Sequence, residues 1–113
     1  MPPVPDGACE HQYRGDDPAN KRANARPFRG RAPRYPKRAL SQGIQGWACV
    51  GFTIAVDGTV EHPVIVASAP EGYFEESALT AVRTWSYLPH VVGGKPVERT
   101  GVQILLKFAI EWR

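Results

Sequence analysis

Residues 46–68 read GWACVGFTIAVDGTVEHPVIVAS. Ala48, Val50, Phe52, Ile54 and Val56 alternate with Trp47, Cys49, Gly51, Thr53 and Ala55. A period of two puts the first set on one face of a strand and the second on the other. Asp57-Gly58 follows. Such a pair is a strong hairpin signal, because both central positions of a type I′ turn need positive φ. The chain therefore returns as a second strand, over about residues 59–67. Pro63 interrupts that return. Proline has no N–H to give to a ladder, so the second strand lies at a sheet edge or is bulged there.

Downstream, PEGYFEESALTAVRTWSY (70–87) has helical spacing: Phe74, Ala78, Ala81, Val82 and Trp85 share one face. Glu75 and Glu76 in the first turn and Arg83 near the last complement the helix dipole. Pro89 disfavours continuation. VVGGKPVERTG (91–101) reads as a loop. The chain then closes with GVQILLKFAIEWR (101–113), in which Val102, Ile104, Leu106, Phe108 and Ile110 alternate with Gln103, Leu105, Lys107, Ala109 and Glu111. This is a long half-buried strand. Upstream of the hairpin, Pro36 suits the first turn of a short helix and Gly43 its C-terminal cap, with Ala39 and Leu40 inward.

The order α-β-β-α-β specifies an α+β fold, a three-stranded antiparallel sheet with two helices packed on one face. If the last strand lies on the free flank of the first, both outer strands are edges. Pro63 blunts one, or merely tolerates its exposure. The 102–110 edge has no such device and stays open to extension by another strand.

Residues 1–31 read as a flexible basic arm or linker rich in Pro and Gly, without helical or strand period, and residues 32–113 as one domain. Residues 1–45 hold nine basic and four acidic residues, a sum of +5, whereas residues 46–113 hold five basic and seven acidic ones, a sum of −2, so the basic excess of this +3 chain lies in its leading part. The arm lacks interleaved stacking aromatics, which argues against nucleic acid as its partner. No apolar run approaches the roughly 18 residues that span a membrane. The opening MPPVPDGACEHQ has neither the basic start nor the apolar stretch of a signal peptide, so any anchor or export signal is expected outside this chain.

Chemistry-bearing residues are scattered. His11, His62 and His90 have no ligand-like spacing to Cys9 or Cys49, and Ser41 and Ser68 sit in no motif. VGGKP (92–96) lacks phosphate-loop spacing. No catalytic, metal or cofactor constellation stands out, so a non-enzymatic binding module is expected. Cys9 and Cys49 can form a disulfide in an oxidising compartment. Closing about 40 residues would contribute at most about 4 kcal/mol. The other reading is a free thiol in the arm and a buried strand cysteine. It is favoured because nothing in the arm marks Cys9 as held against the first strand.

Tyr35-Pro36 before the short helix, Gly46 at the first strand, the Asp57-Gly58 hairpin, and Trp85, Tyr87 and Pro89 closing the long helix appear in register with GGKPV (93–97) and the apolar last strand. Over about residues 32–111 this pattern resembles the C-terminal domain of TonB, the energy transducer of Gram-negative bacteria. The resemblance implies a periplasmic module, with its inner-membrane anchor absent from this chain. Such a module binds the TonB box of outer-membrane receptors and drives import of siderophores, cobalamin or similar ligands. It implies that the box pairs with the last strand (Val102, Gln103, Ile104, Leu105, Leu106 and Lys107) beside Pro33, Arg34 and Tyr35, and that Arg29 or Arg31 meets the receptor plug. It also implies contacts with inner-membrane ExbB/ExbD through a region outside this chain, and open edges that can pair as a homodimer. Ala32 stands where the best-known members carry a box-contacting Gln, so that contact is lost or replaced. The alternatives are a TolA-like domain, or a TonB-fold interaction or scaffold module not coupled to receptor transport.

Overall fold

The computed structural model describes residues 2–4, 9 and 29–110. Its elements are α1 (Lys37–Gln42), β1 (Gly46–Ile54), β2 (Val60–Ala69), α2 (Glu75–Val82), β3 (His90–Val92), β4 (Lys95–Val97) and β5 (Arg99–Phe108). The main sheet has the order β2-β1-β5, with both pairings antiparallel; β3 and β4 make a separate two-stranded ribbon. The α+β class, the three-stranded sheet and its two helices are those indicated by the sequence pattern.

The two alternating sets of β1 build two different interiors. On the front face Ala48 pairs with Leu106, Val50 with Ile104 and Phe52 with Val102. These side chains, with Ile54 and Phe108, pack against Ala39 of α1 and against Phe74, Ala78 and Val82 from the α2 region. Phe74 and Phe108 stack with centroids 4.5 Å apart and planes 17° from parallel. Each large side chain buried here contributes about 1.5–3 kcal/mol. On the back face Trp47, Cys49 and Leu105 form a second apolar cluster, against which Val4, Cys9, Ala67 and Ala69 pack. Cys9 and Cys49 are joined by a disulfide, their Cα atoms 5.9 Å apart. The free-thiol reading of Cys9 is thus corrected. The seat that holds Cys9 is a cluster assembled from β1, β2 and β5, and no local pattern in the arm announces it.

Other details also differ from the sequence reading. The hairpin turn is not type I′. His62 is the one non-glycine residue with positive φ among the described residues, so Asp57 keeps a negative φ. The Gly58 amide donates to the Ala55 carbonyl at 2.8 Å, and the Ala55 amide donates to the Thr59 carbonyl at 2.8 Å. This is the three-residue connection in which a tight turn ends on a glycine in the left-handed region. The Asp57 carboxylate accepts from the Thr59 hydroxyl at 2.7 Å and from its amide at 3.0 Å. These two bonds hold its pKa below the ordinary value. Gly58 is required twice: its φ is +91°, and a Cβ would lie 1.9 Å from the Tyr87 carbonyl oxygen.

β2 is an edge, and it is bulged as Pro63 suggests. Register shifts fall between Cys49 and Val50 and between Gly51 and Thr53, and His62 beside the proline has φ +54°. α2 stops at Val82, with Arg83 as its C-cap, so Trp85 and Tyr87 lie on an extended exit rather than on the helix. Both remain core residues. The expected loop at 91–101 contains the β3-β4 ribbon, and β5 starts at Arg99. In α1, Ala39 is fully buried while Leu40 is 53% exposed. Adjacent helical residues point about 100° apart, so a six-residue helix cannot turn both inward.

Residues 29–36, expected to straddle the border between arm and domain, are stitched to the exit of α2. Arg29 and Ser86 exchange two backbone hydrogen bonds, 3.1 and 2.9 Å. The Trp85 indole N–H donates to the Arg31 carbonyl at 2.8 Å, and the Arg31 amide donates to the Thr84 hydroxyl at 3.0 Å. A Cβ on Gly30 would lie 2.2 Å from the Trp85 ring, so the glycine lets this segment close onto the indole. Residues 5–8 and 10–28 of the arm, including His11, and Glu111 at the chain's end lie outside the described residues.

Candidate docking edge

β5 is a ten-residue strand whose ladder partner among the described residues is β1. Its other edge carries backbone N–H and C=O groups directed away from the sheet. The side chains of β5 are largely committed elsewhere. Val102, Ile104 and Leu106 are in the front core. Leu105, which alternation puts on the face of Gln103 and Lys107, is 4% exposed beneath Val4 and Cys9. Within Val102–Phe108 that leaves Gln103, half-buried, and Lys107, exposed, as the accessible side chains; nearer the start of the strand Thr100 is exposed and Arg99 half-buried. What β5 presents is therefore mainly backbone.

Tyr35 comes to this strand from the arm. Its ring meets Phe108 of β5 edge-on at 5.9 Å and Phe74 edge-on at 5.8 Å. Its hydroxyl donates to the Ile44 carbonyl, just before β1. Burial pushes the Tyr35 hydroxyl above its ordinary pKa. The structure thus brings Tyr35 together with the C-terminal end of β5. It does not bring all the expected residues there. The Arg34 carbonyl accepts from the Ser77 hydroxyl of α2. Pro33 is half-buried on the same run, and Arg29 and Arg31 are exposed next to Ser86, Thr84 and Trp85. The anchors Ser77, Thr84, Ser86 and Phe108 carry no motif that would mark them; their partners are 43 to 73 positions away in the sequence.

A concavity of about 660 Å³ lies between this segment and α2, lined by Arg31, Arg34, Lys37, Tyr73, Glu76 and Thr80 among others. The Ser77 and Thr84 hydroxyls on its wall already bond within the protein. The groove is therefore a seam between two parts of the fold, whereas β5 is an edge strand with one ladder partner among the described residues. Among the described residues no group of three or more His, Cys, Asp or Glu could hold a metal ion, and no helix is long and apolar enough to cross a membrane.

Residues 31–110 match the family model described as Gram-negative bacterial TonB protein C-terminal. Protein TonB of Pseudomonas aeruginosa is 34% identical over 91 residues, which cover 80% of this chain and 26% of that protein. Protein TonB of Vibrio cholerae is 29% identical over 79 residues, covering 70% of this chain and 32% of that protein. The chain therefore spans about a quarter to a third of the length of these relatives. Among solved structures, the solution structure of the Pseudomonas aeruginosa TonB C-terminal domain superposes with a TM-score of 0.64 at 36% identity, covering 78% of this chain and 88% of that one. A structure of the TonB2 protein of Vibrio anguillarum gives 0.62 at 34% identity, covering 76% and 81%. Matched along most of its length in sequence and in fold, this chain belongs to the family of TonB C-terminal domains.

Proposed function

We propose that this chain is the receptor-binding module of a TonB-type energy transducer, acting in the periplasm and attached to the inner membrane by a part of the protein outside this sequence. The observation that carries the reading is the position of β5 at the sheet edge, with β1 its one ladder partner among the described residues and Tyr35 packed at its end. A short extended segment of an outer-membrane receptor, the TonB box, adds to that edge as a further strand. Arg29 and Arg31 reach the receptor plug. Work done at the inner membrane by ExbB/ExbD is passed through the added strand to the plug, which opens to siderophores, cobalamin or similar ligands.

Magnitudes support a mixed mode of recognition. Each new backbone hydrogen bond adds about 0.5–1.5 kcal/mol net. Association itself costs about 4–15 kcal/mol. A segment of about five residues making a handful of ladder bonds gains about 2.5–7.5 kcal/mol, which meets only the lower part of that cost. Side-chain contacts at Gln103, Lys107 and the rim around Tyr35 must supply the surplus and set the preference. Ladder bonds also suit a pulling role, since bonds loaded together in shear share the tension.

Titration with TonB-box peptides, followed by backbone amide shifts and hydrogen exchange, tests this. In the free domain alternate amides of Val102–Phe108, those directed away from β1, are expected to exchange fast. Peptide is expected to protect that set and shift its resonances. Protection confined to residues away from β5, or pairing of β5 with a second copy that no peptide displaces, would overturn the proposal.

A further inference from the structure

The disulfide has a topological consequence for a protein that is pulled. Cys9 and Cys49 are 40 positions apart. Everything between them, including residues 29–36 and α1, belongs to one covalent ring. Cys49 is fully buried near the middle of β1, the central strand, and is the register partner of Leu105 on β5. On the back face the upstream chain is seated by Val4 and Cys9 against Trp47, Cys49 and Leu105. Residues 29–36 and the helices lie on the other side of the sheet.

Two routes therefore lead from the chain upstream of Cys9 to the docking strand. Without the bridge, tension runs through the chain into Arg29. It then loads the Arg29–Ser86 pair, the Arg31 bonds to Thr84 and Trp85, and the Arg34–Ser77 bond in turn. Bonds loaded one after another are peeled. The next contact on that route is Tyr35 against Phe108, the wall of the docking edge. With the bridge, tension passes from Cys9 to Cys49 and enters β1 directly. It crosses the β1–β5 ladder and reaches the added strand, and the peelable segment stays slack inside the ring.

We infer that the Cys9–Cys49 disulfide is a mechanical bypass that delivers tension to the central strand and keeps the Pro33–Tyr35 segment out of the line of pull. The inference rests on the proposed transducing role for its purpose, but not for its test. The full chain is held in optical tweezers by handles at its two ends and stretched oxidised, after reduction in situ with dithiothreitol, and as Cys9→Ser. No partner is needed, so failure of peptide docking leaves the outcome unaffected.

In the reduced and Cys9→Ser proteins an early low-force event, the stripping of residues 29–36, is expected to precede opening of the sheet. In the oxidised protein that event is missing. Complete unfolding should be longer by about 140 Å without the bridge, from 40 residues at roughly 3.5 Å each. A cross-link that only stabilises would raise the force of a single event without changing the order. An early event in both states, or in neither, would overturn the inference. So would a reduced protein that loses its sheet without tension, because the bridge would then hold the fold rather than route a pull.

Discussion

Replacing Tyr35 separates the two ways in which it is held. Tyr35→Phe removes only the hydroxyl that donates to the Ile44 carbonyl. A hydrogen bond of this kind is worth about 0.5–1.5 kcal/mol, and Ile44 lies near the surface, where water replaces part of it. Tyr35→Ala also removes the edge-on contacts with Phe74 and Phe108. Two such ring pairs add about 1–3 kcal/mol in total beyond the area they bury. The expected losses are about 1 kcal/mol for Phe and about 3–5 kcal/mol for Ala. In a domain of this size 1 kcal/mol moves Tm by roughly 4–8 °C. Thermal unfolding followed by circular dichroism should therefore drop by about 5 °C for Phe and by more than about 12 °C for Ala. Peptide affinity adds a second readout. Phe keeps the ring at the end of β5 and should bind nearly as the parent does, whereas Ala should bind roughly 5- to 100-fold more weakly, the range of an interface hot spot. An Ala variant with parental Tm would refute the claim that this ring fastens the 29–36 segment. Equal loss of affinity in Phe and Ala would shift the role from the ring to the hydroxyl.

Three further outcomes follow from the geometry. Gly58→Ala should lose at least about 2–3 kcal/mol in a denaturant titration, because alanine is strained at φ +91° and its methyl would meet the Tyr87 carbonyl; a loss below about 0.5 kcal/mol would contradict the close approach. Trp85→Ala should cost about 3–5 kcal/mol as a core truncation. Trp85→Phe should cost less but should speed amide exchange at Arg29 and Arg31, since the indole N–H bond to Arg31 is lost; unchanged exchange there would count against that anchor. For Glu75, burial pushes the carboxyl pKa up, but bonds from the Gly72 amide, its own amide, the Phe74 amide and the Ser68 hydroxyl together outweigh it and leave the pKa lowered from 4.5. A lowered folded-state pKa stabilises fully above that unfolded value and less as pH falls through the folded one. Unfolding measured from pH 6 down to pH 2 should show this loss, and Glu75→Gln should show a flatter profile; parallel profiles would remove Glu75 as a source of acid sensitivity.

The two faces of β1 and β5 were legible in the sequence, because a strand's side chains alternate whatever it packs against. So were the edge position of β2, from the missing donor of Pro63, and the left-handed cap Gly43. The location of a hairpin at Asp57-Gly58 was legible too, but its turn type was not. That choice depends on Gly58 lying against Tyr87, 29 positions further on. The end of α2 was misread for a similar reason. Trp85 keeps helical spacing with Val82, yet its indole N–H is claimed by Arg31, 54 positions upstream. The candidate site divided in the same way. Pattern alone pointed to β5 as an edge strand without a blunting device and to Tyr35-Pro36 as a rigid entry. Only the folded chain turned Leu105 inward, set Arg34 against α2 rather than β5, and brought Cys9 to Cys49. Periodicity reports what neighbouring residues do to one another through the backbone. The pairing of residues forty or more positions apart depends on surfaces such as the Trp47–Leu105 cluster, which do not exist until three strands have come together.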